Sequence, residues 1–321
     1  MPFHDPLKAL LARQPFALLD GAMATELEKR GCNLNDPLWS AKVLLEAPEL
    51  IRDVHLDYLR AGADIITTAS YQATFEGLAG RGLERSEAAA LMRLSVQLAL
   101  EARAQWLAEA PQAAPPLVAA SVGPYGAMLA DGSEYRGGYG MSVGQLMDFH
   151  RPRLAVLAAA GADLLACETL PCPEEAVALA RLLAEELPQT AAWLAFSCKD
   201  GEHVSQGERL AACLALLEGT PQIVAVGINC TDPALLPALL ASVRGATGKP
   251  LLVYPNSGEH YDPAGKCWHG QADAERFAED AGRWREGGAR LIGGCCRTGP
   301  AQINALRALR AAAQGGFASG G

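Results

Sequence analysis

Residues 161–169 read Gly-Ala-Asp-Leu-Leu-Ala-Cys-Glu-Thr, and this short stretch contains the repeating unit of the fold. We interpret its glycine as the end of a helix, its apolar residues as a strand, and its Glu and Thr as polar residues that follow the strand. Gly-Ala-Asp recurs at Gly62–Asp64, and Gly-Gly-Ala occurs at Gly287–Ala289. Glycine is the usual helix C-cap residue, so these repeats predict a chain in which helices alternate with strands.

The alternation extends along the whole chain. Continuous apolar runs are typical of strands in a parallel sheet, which are buried on both faces. Helix-period segments lie between the runs, for example Arg85–Ala108, Glu174–Glu186 and Ala234–Val243. The predicted strands are Phe16–Leu19, Asp64–Ala69, Leu117–Ser121, Asp163–Cys167, Trp193–Ser197, Ile223–Ile228, Leu251–Tyr254 and Ala289–Ile292.

These strands and helices predict an α/β fold, a single (β/α)8 barrel, with a doubly wound sheet as the alternative. Neither a change in composition nor a Pro/Ser-rich linker divides the chain, so we expect one domain over residues 1–321. The tail from 311 to 321 consists mostly of small residues and glycine. We expect this tail to fray.

The composition argues against several classes of protein. The chain of 321 residues is 50% hydrophobic and carries a formal net charge of -9, which is unlike a surface that binds nucleic acid or anionic lipid. The start of the chain predicts no signal peptide, and Leu154–Leu170 is too short and too polar to span a membrane. Nine scattered cysteines are more typical of reduced thiols in a cytoplasmic protein than of a disulfide framework.

Polar residues and cysteines follow the apolar runs. In a barrel the carboxyl ends of all strands meet at one rim, where the active site lies. We therefore expect six residues that are far apart in sequence to share one mouth. They are Asp20, Glu168, Cys230, Asn256, Cys295 and Cys296.

Three of these six residues are thiols. One cysteine from one strand end and an adjacent pair from another could hold a catalytic zinc ion, which takes three protein ligands and leaves a fourth position open. Cys167 is a further candidate ligand of the zinc ion. The alternative is that these cysteines are only small buried apolar residues, and the absence of any C-x-x-C spacing argues against a structural zinc site.

The carboxylates of Asp20 and Glu168 and one loop are further candidate parts of a functional site. Asp20 and Glu168 could serve in acid/base chemistry or bind an ammonium group, although Asp20 could instead cap a turn. The segment Asp131–Gly140 is rich in glycine and tyrosine. It is either a flexible loop or a lid over the mouth.

Taken together, these residues resemble the zinc-dependent homocysteine S-methyltransferase family, and within it the branch that uses S-methylmethionine. The resemblance extends from about Phe16 to Leu309. Its most specific parts are Gly227-Ile228-Asn229-Cys230 and Gly293-Gly294-Cys295-Cys296-Arg297-Thr298. The segments Leu18–Thr25, Leu129–Gly137 and Val253–Glu259 also match.

The resemblance implies a (β/α)8 barrel with Zn²⁺ held by the thiolates of Cys230, Cys295 and Cys296, and with the homocysteine sulfur in the fourth position. The predicted substrate contacts are Asp20, Gly21, Glu168, Asn229 and Asn256. A cationic donor is attracted by carboxylates and aromatic ring faces, and we predict Tyr71, Glu134 and Tyr135 as its contacts. One departure from the family pattern is Gly138, where we expect Asp or Asn.

The implied reaction moves a methyl group from a sulfonium donor to the homocysteine thiolate and gives methionine. No dedicated side-chain base is expected, because zinc binds the thiolate form. S-methylmethionine is the expected donor and S-adenosylmethionine the alternative. Other hypotheses are a homocysteine module that works with a separate corrinoid protein, a betaine-type donor, and a non-catalytic zinc- or amino-acid-binding barrel. We expect no nucleic-acid, membrane or obligatory protein partner.

Overall fold

A computed structural model of the protein describes residues 3–34, 40–262, 267–269 and 273–317. The barrel strands within these ranges are β1 (Ala17–Leu18), β2 (Ile65–Thr67), β3 (Leu117–Val122), β4 (Leu164–Leu170), β5 (Ala192–Phe196), β6 (Ile223–Asn229), β7 (Leu251–Tyr254) and β10 (Ala289–Ile292). A separate antiparallel pair is formed by β8 (His260–Asp262) and β9 (Cys267–His269).

Helices follow or precede these strands along the described chain. They are α1 (Pro6–Arg13), α2 (Met23–Lys29), α3 (Ser40–Glu46), α4 (Pro48–Ala61), α5 (Phe75–Ala79), α6 (Arg85–Glu109), α7 (Tyr125–Leu129), α8 (Val143–Ala158), α9 (Pro173–Glu185), α10 (Leu210–Ala215), α11 (Leu236–Ser242), α12 (Ala274–Glu286) and α13 (Pro300–Phe317), with 3₁₀ turns at Ser133–Tyr135 and Pro233–Leu235. Among the described residues, no helix has the length and apolar character needed to cross a membrane.

The eight barrel strands are all parallel. Their hydrogen-bonded order is β1-β10-β7-β6-β5-β4-β3-β2, and a parallel bridge between Leu19 and Ile65 joins the two outer strands. The sheet therefore closes on itself, which confirms the predicted (β/α)8 barrel and excludes the doubly wound alternative. Each predicted apolar run overlaps one of the eight strands.

The core has two layers, because successive strand residues point to opposite faces of the sheet. Inward residues such as Leu19, Ala166 and Trp193 fill the barrel, and Leu7 of α1 packs with them at the end where the strands begin. Outward residues pack against the helices. Cys167 belongs to this outer layer, so it faces away from the barrel interior and is not a spare metal ligand.

The Gly-Ala-Asp repeats have a common structural role. Gly62 and Gly161 adopt left-handed φ angles of 111° and 97°, as expected for residues that end a helix. Asp64 then accepts a 2.7 Å hydrogen bond from the backbone N–H of Leu18, and Asp163 accepts one of 2.7 Å from Val118. Each aspartate therefore fixes the start of its own strand to the preceding strand, at the end of the barrel opposite the mouth.

The last helix extends into the predicted tail. Helix α13 continues to Phe317, so it includes residues 311–317 of the tail that we expected to fray. Three of these residues, Ala311–Ala313, are alanines, and alanine has the highest helix propensity of all residues. Residues 318–321 lie outside the described part of the chain.

Candidate active site

The structure brings three cysteines together at the carboxyl ends of the strands. Cys230 directly follows β6, and Cys295 and Cys296 follow β10. Their sulfur atoms all lie within 4.8 Å of one another, and those of Cys230 and Cys296 are 4.0 Å apart. We call Cys230, Cys295 and Cys296 the thiol cluster.

The backbone around the thiol cluster is held by the chain that follows β7. Cys230 has a left-handed φ of 46°, and its N–H donates to the Tyr254 carbonyl at 3.2 Å. The Cys295 N–H donates to the Pro255 carbonyl at 2.6 Å, and the Cys296 carbonyl accepts from the Ser257 N–H at 3.0 Å. Backbone contacts to one intervening segment therefore set the positions of all three thiols.

Glycine is required immediately before the cysteine pair. A Cβ atom on Gly294 would overlap the side chain of Thr298, whose hydroxyl donates to the Cys295 carbonyl at 2.6 Å. A Cβ atom on Gly293 would lie 2.8 Å from the Asp20 carbonyl. The Gly-Gly-Cys-Cys motif thus lets the loop after β10 approach β1 closely.

Cys230 and Cys295 are joined by a disulfide in this structure, and Cys296 is a free thiol. The sequence favours reduced thiols over a disulfide framework, and this one pair forms because the barrel topology brings together two thiols that are distant in sequence. Burial raises the pKa of the Cys296 thiol to about 11. Only the reduced pair can supply thiolate ligands to a metal.

One pair of sulfur atoms, that of Cys230 and Cys296, has the spacing of zinc ligands. Two thiolates that bind one tetrahedral zinc at about 2.3 Å lie about 3.8 Å apart. The 4.0 Å between Cys230 and Cys296 is close to this value. Three thiols also leave one coordination position open, as in a catalytic site.

Asp20 lies at the same mouth, two residues after the end of β1. Its two carboxylate oxygens accept hydrogen bonds from Thr67, one from the backbone N–H at 2.7 Å and one from the hydroxyl at 2.6 Å. Burial raises the pKa of Asp20 to about 7, and the nearby charge of Glu168 adds to this effect. The carboxylate is therefore engaged in joining β1 to β2.

Glu168, the fifth residue of β4, also faces the mouth. It accepts a hydrogen bond from the Ser121 hydroxyl and interacts with the Tyr254 hydroxyl, which in turn accepts from Trp193 Nε1 at 3.1 Å. Burial raises the pKa of Glu168 to about 7, yet 9% of the residue remains exposed. Its carboxylate is thus oriented by two hydroxyl groups and still reachable from the mouth.

The two asparagines have different environments. Asn229 is fully buried, and both groups of its side-chain amide bond to Thr169. Asn256 is partly exposed, and its Oδ1 atom is buried without a hydrogen-bond partner in the described chain. Asn256 therefore offers an acceptor to a ligand, whereas Asn229 is used within the protein.

Gly21 lies where β1 meets the loop after β10. A Cβ atom on Gly21 would be 2.8 Å from the Thr298 carbonyl and 3.0 Å from the Tyr58 hydroxyl. The neighbouring Ala22 N–H donates to the Thr298 carbonyl at 2.9 Å. Only a residue without a side chain fits here, so the backbone rather than a side chain borders the mouth.

The three predicted donor contacts form one group. The Tyr71 hydroxyl bonds to the side chain of Thr169; burial raises the pKa of Tyr71 well above its usual value, and the nearby Tyr135, Glu134 and Glu168 add to this effect. The Oε2 atom of Glu134 is buried without a hydrogen-bond partner among the described residues, and burial raises the pKa of Glu134. Tyr135 remains 44% exposed. Two phenol groups and one carboxylate oxygen without a partner therefore lie near one another.

The loop at 131–140, which carries Glu134 and Tyr135, is fixed to the barrel. The Ser197 hydroxyl donates to the Glu134 carbonyl at 3.1 Å, and the Gly138 N–H donates to Gln206 Oε1 at 2.6 Å. Gly138 has a left-handed φ of 69° and no atom near its missing side chain. Asn and Asp tolerate this conformation better than other side chains, which accounts for the residue types expected at this position.

Several residues that shape the site were missed by the sequence analysis. Thr67, Ser121 and Tyr254 end or follow apolar runs, so the rule that identified Glu168 could have identified them as well. Arg153 and His150 could not have been found in this way, because they lie inside helix α8 and are fully buried.

Comparisons with known proteins show which family the chain is similar to. Residues 17–310 match the model of a family described as homocysteine S-methyltransferase. The homocysteine S-methyltransferase of Escherichia coli (strain K12) is 58% identical over 96% of this chain and 99% of its own length, and homocysteine S-methyltransferase YbgG of Bacillus subtilis (strain 168) is 55% identical over 95% and 97%. The crystal structure of the metallated form of homocysteine methyltransferase MmuM from E. coli superposes with a TM-score of 0.87, at 56% identity, and covers 95% of this chain and 99% of that one.

Proposed function

Because the chain belongs to the homocysteine S-methyltransferase family, we propose that it transfers a methyl group from a small sulfonium donor to homocysteine and produces methionine. The observation that carries this proposal is the thiol cluster, which lies at the same mouth as the reachable carboxylate of Glu168. One end of the site then suits a sulfur atom, and the other suits the amino group of an amino acid.

We propose Cys230, Cys295 and Cys296, in their reduced form, as the ligands of one Zn²⁺ ion. Zinc, when bound, acts as a Lewis acid and keeps a thiol that enters the open position in its thiolate form at neutral pH. The protein therefore needs no side-chain base for homocysteine. Thiolate ligands require a reducing environment, so we also propose a cytoplasmic location.

The amino-acid end of homocysteine is held by Glu168, Asn256 and the backbone at Gly21. The Glu168 carboxylate is aimed by Ser121 and accepts from the substrate ammonium group. Asn256 Oδ1 is a second acceptor, since it has no hydrogen-bond partner within the described protein. Asp20 and Asn229 act through other residues: Asp20 fixes Thr67, and Asn229 fixes the residue next to Glu168.

The sulfonium donor is bound by Tyr71, Glu134 and Tyr135. A sulfonium carries a positive charge, which is attracted by aromatic ring faces and by a carboxylate. In the reaction the homocysteine sulfur forms a bond to the methyl carbon while the bond from that carbon to the donor sulfur breaks, and its electron pair stays on the donor. The protein contributes by aligning the two sulfurs and the carbon in one line. With S-methylmethionine as donor, both products are methionine.

A donor panel tests the proposal. Purified protein, reduced and loaded with zinc, is given homocysteine together with S-methylmethionine, S-adenosylmethionine or betaine, with no other protein present. We expect methionine from S-methylmethionine at the highest rate. Turnover that needs an added methyl-corrinoid protein, or that occurs only with betaine, would replace the donor assignment. Binding of homocysteine without turnover on any donor would indicate a non-catalytic barrel.

The metal is tested independently of turnover. Elemental analysis should find about one zinc per chain, and zinc K-edge spectroscopy should find sulfur ligands, as expected for a thiolate site. Mainly nitrogen ligands would contradict the assignment of the thiol cluster.

A further inference from the structure

A buried charged network lies behind the side of the mouth that carries the proposed donor contacts. Arg153 and His150 project from α8, and Glu175 projects from the first turn of α9. All three side chains are fully buried or nearly so. We call Arg153, His150 and Glu175 the buried triad. The proposed methyl transfer does not use any of them directly.

The hydrogen bonds of the buried triad fix its proton positions. Arg153 Nη2 lies 2.9 Å from His150 Nδ1, and a guanidinium group can only donate. Nδ1 of His150 is therefore the acceptor, and its proton is on Nε2, which donates to Glu175 Oε1 at 2.7 Å. His150 is a neutral bridge between a positive and a negative charge, in agreement with the lowering of its pKa by burial and by the Arg153 charge.

Within the described part of the chain, the outer hydrogen bonds of the triad go to backbone groups that follow β2 and β3. Arg153 donates to the Gly123 carbonyl at 2.5 Å and to the Tyr71 carbonyl at 3.4 Å. Glu175 Oε1 accepts from the Tyr125 N–H at 2.6 Å. Gly123 and Tyr71 are also joined directly by a backbone hydrogen bond of 3.1 Å. The triad thus fixes three points on the donor side of the mouth.

The segment that the triad holds supports the loop above it. Tyr125 begins α7, and a Cβ atom on the next residue, Gly126, would overlap the backbone N of Glu134. The rings of Tyr125 and Tyr139 pack edge to face with their centroids 5.2 Å apart. A shift of Gly123 or Tyr125 would therefore move Glu134, one of the three proposed donor contacts, as well as Tyr71.

We infer that Arg153, through His150 and Glu175, is a positioning residue for the methyl donor. Three parts of the homocysteine side, the thiol cluster, Asn256 and Gly21, make no hydrogen bond with the triad among the described residues. Glu168 is connected to the triad less directly, through Ser121, which lies two residues before Gly123, so we expect a smaller effect on homocysteine than on the donor. The inference rests on the proposed function, since it assigns a role within that reaction.

The test compares variants of the buried triad in the zinc-loaded enzyme. Arg153→Met combined with Glu175→Gln removes both buried charges together, so neither charge is left unpaired. Arg153→Lys keeps the positive charge but loses the planar guanidinium group that donates several hydrogen bonds. Arg151→Met is the matched control, because Arg151 lies on the same helix and makes only surface ion pairs with Asp148 and Glu186.

We expect the double variant to raise the KM for S-methylmethionine at least tenfold, and by a larger factor than the dissociation constant for homocysteine, while the zinc content stays within twofold. Arg153→Lys should raise this KM by a smaller factor, and Arg151→Met should leave it unchanged. If the double variant does not fold, Arg153→Lys alone decides. Equal losses for both substrates, or no change for either, would overturn the inference.

Amide hydrogen exchange provides a readout that does not need activity. Peptides that cover residues 69–73 and 121–128 should exchange faster in the variants, whereas peptides around Cys295 should not. Unchanged exchange in the first two peptides would also overturn the inference. A wild-type protein that transfers no methyl group would overturn the proposed function, while the exchange result would still decide whether the triad holds this segment.

Discussion

The side chain of Asn229 makes two hydrogen bonds with Thr169, accepting from its backbone N–H at 2.7 Å and donating to its hydroxyl at 2.8 Å. Thr169 has a left-handed φ of 60°, a conformation that is costly for a β-branched residue. It lies between Glu168 and the end of β4. Asn229, the residue before Cys230, therefore joins the part of the mouth that carries the carboxylate to the part that carries the thiols.

Replacing Asn229 by alanine should destabilise the protein and misplace Glu168. The buried N–H of Thr169 would lose its partner, which costs about 1–3 kcal/mol. We expect a loss of this size in urea unfolding, together with weaker homocysteine binding in calorimetry. Thr169→Gly is a useful comparison, because it keeps the hydrogen bond from the backbone N–H of residue 169 to Asn229 and relieves the backbone strain. This variant should be destabilised less than Asn229→Ala. Homocysteine affinity unchanged in Asn229→Ala would show that Thr169 does not position Glu168.

Glu168→Gln should weaken homocysteine binding by about 2 kcal/mol, the size of one charge-assisted hydrogen bond. The volume of the side chain and its contact with Ser121 are kept, so zinc content should not change. Calorimetric titration of homocysteine, with metal analysis on the same sample, checks both points. An unchanged affinity would leave Glu168 with a structural role only.

The raised pKa of Glu168 also predicts a dependence on pH. Burial raises this pKa to about 7 from about 4.3 in an unfolded chain, so the folded state binds the proton more tightly. The stability that this protonation contributes is present below pH about 4 and is lost as the pH rises through 7. Ligand binding has the opposite dependence, because only the carboxylate attracts an ammonium group.

Methionine is a suitable probe of this dependence because it has no titrating thiol. Its affinity for the enzyme should rise between pH 6 and pH 8. The rise should be smaller in Glu168→Gln, in which Asp20, with a pKa also raised to about 7, still titrates. An identical rise in both proteins would assign the effect to a group other than Glu168.

The loop at 131–140 should accept a side chain at Gly138, whereas the helix beneath it should not accept one at Gly126. Gly138→Asn adds a side chain to open space in a conformation that Asn tolerates, so we expect a stability within about 0.5 kcal/mol of wild type and an unchanged KM for the donor. Gly126→Ala places a Cβ atom against the Glu134 backbone and should raise this KM. Thermal unfolding and steady-state kinetics of both variants check these expectations. If the loop had no role at the site, Gly126→Ala would have the same KM for the donor as Gly138→Asn.

The sequence predicts the barrel well because each unit of the fold is local. The eight apolar runs, the glycines that end helices and the motifs at strand ends are all readable within about ten residues. Residues that follow the strands meet at one end of a barrel, and this rule brings Cys230, Cys295 and Cys296 to one mouth. By contrast, the partner of Asn229 is 60 residues away, and no local pattern distinguishes an amide that bonds to Thr169 from one that faces a ligand. The disulfide between Cys230 and Cys295 and the contacts of Arg153 depend in the same way on three-dimensional proximity.

The proposed methyl transfer depends most on the thiol cluster, and Cys230→Ser tests the role of this cluster directly. This change removes one proposed zinc ligand without altering a backbone motif, and a barrel of this size does not need a metal to form its core. We expect near-normal circular dichroism, loss of most of the zinc, and almost complete loss of methionine formation from S-methylmethionine and homocysteine. Chelation of zinc from the reduced wild type should have the same effect, and added zinc should restore activity only to the wild type. Full activity in the Cys230→Ser protein would contradict the three-thiolate site, and unfolding of the variant would make the metal structural rather than catalytic.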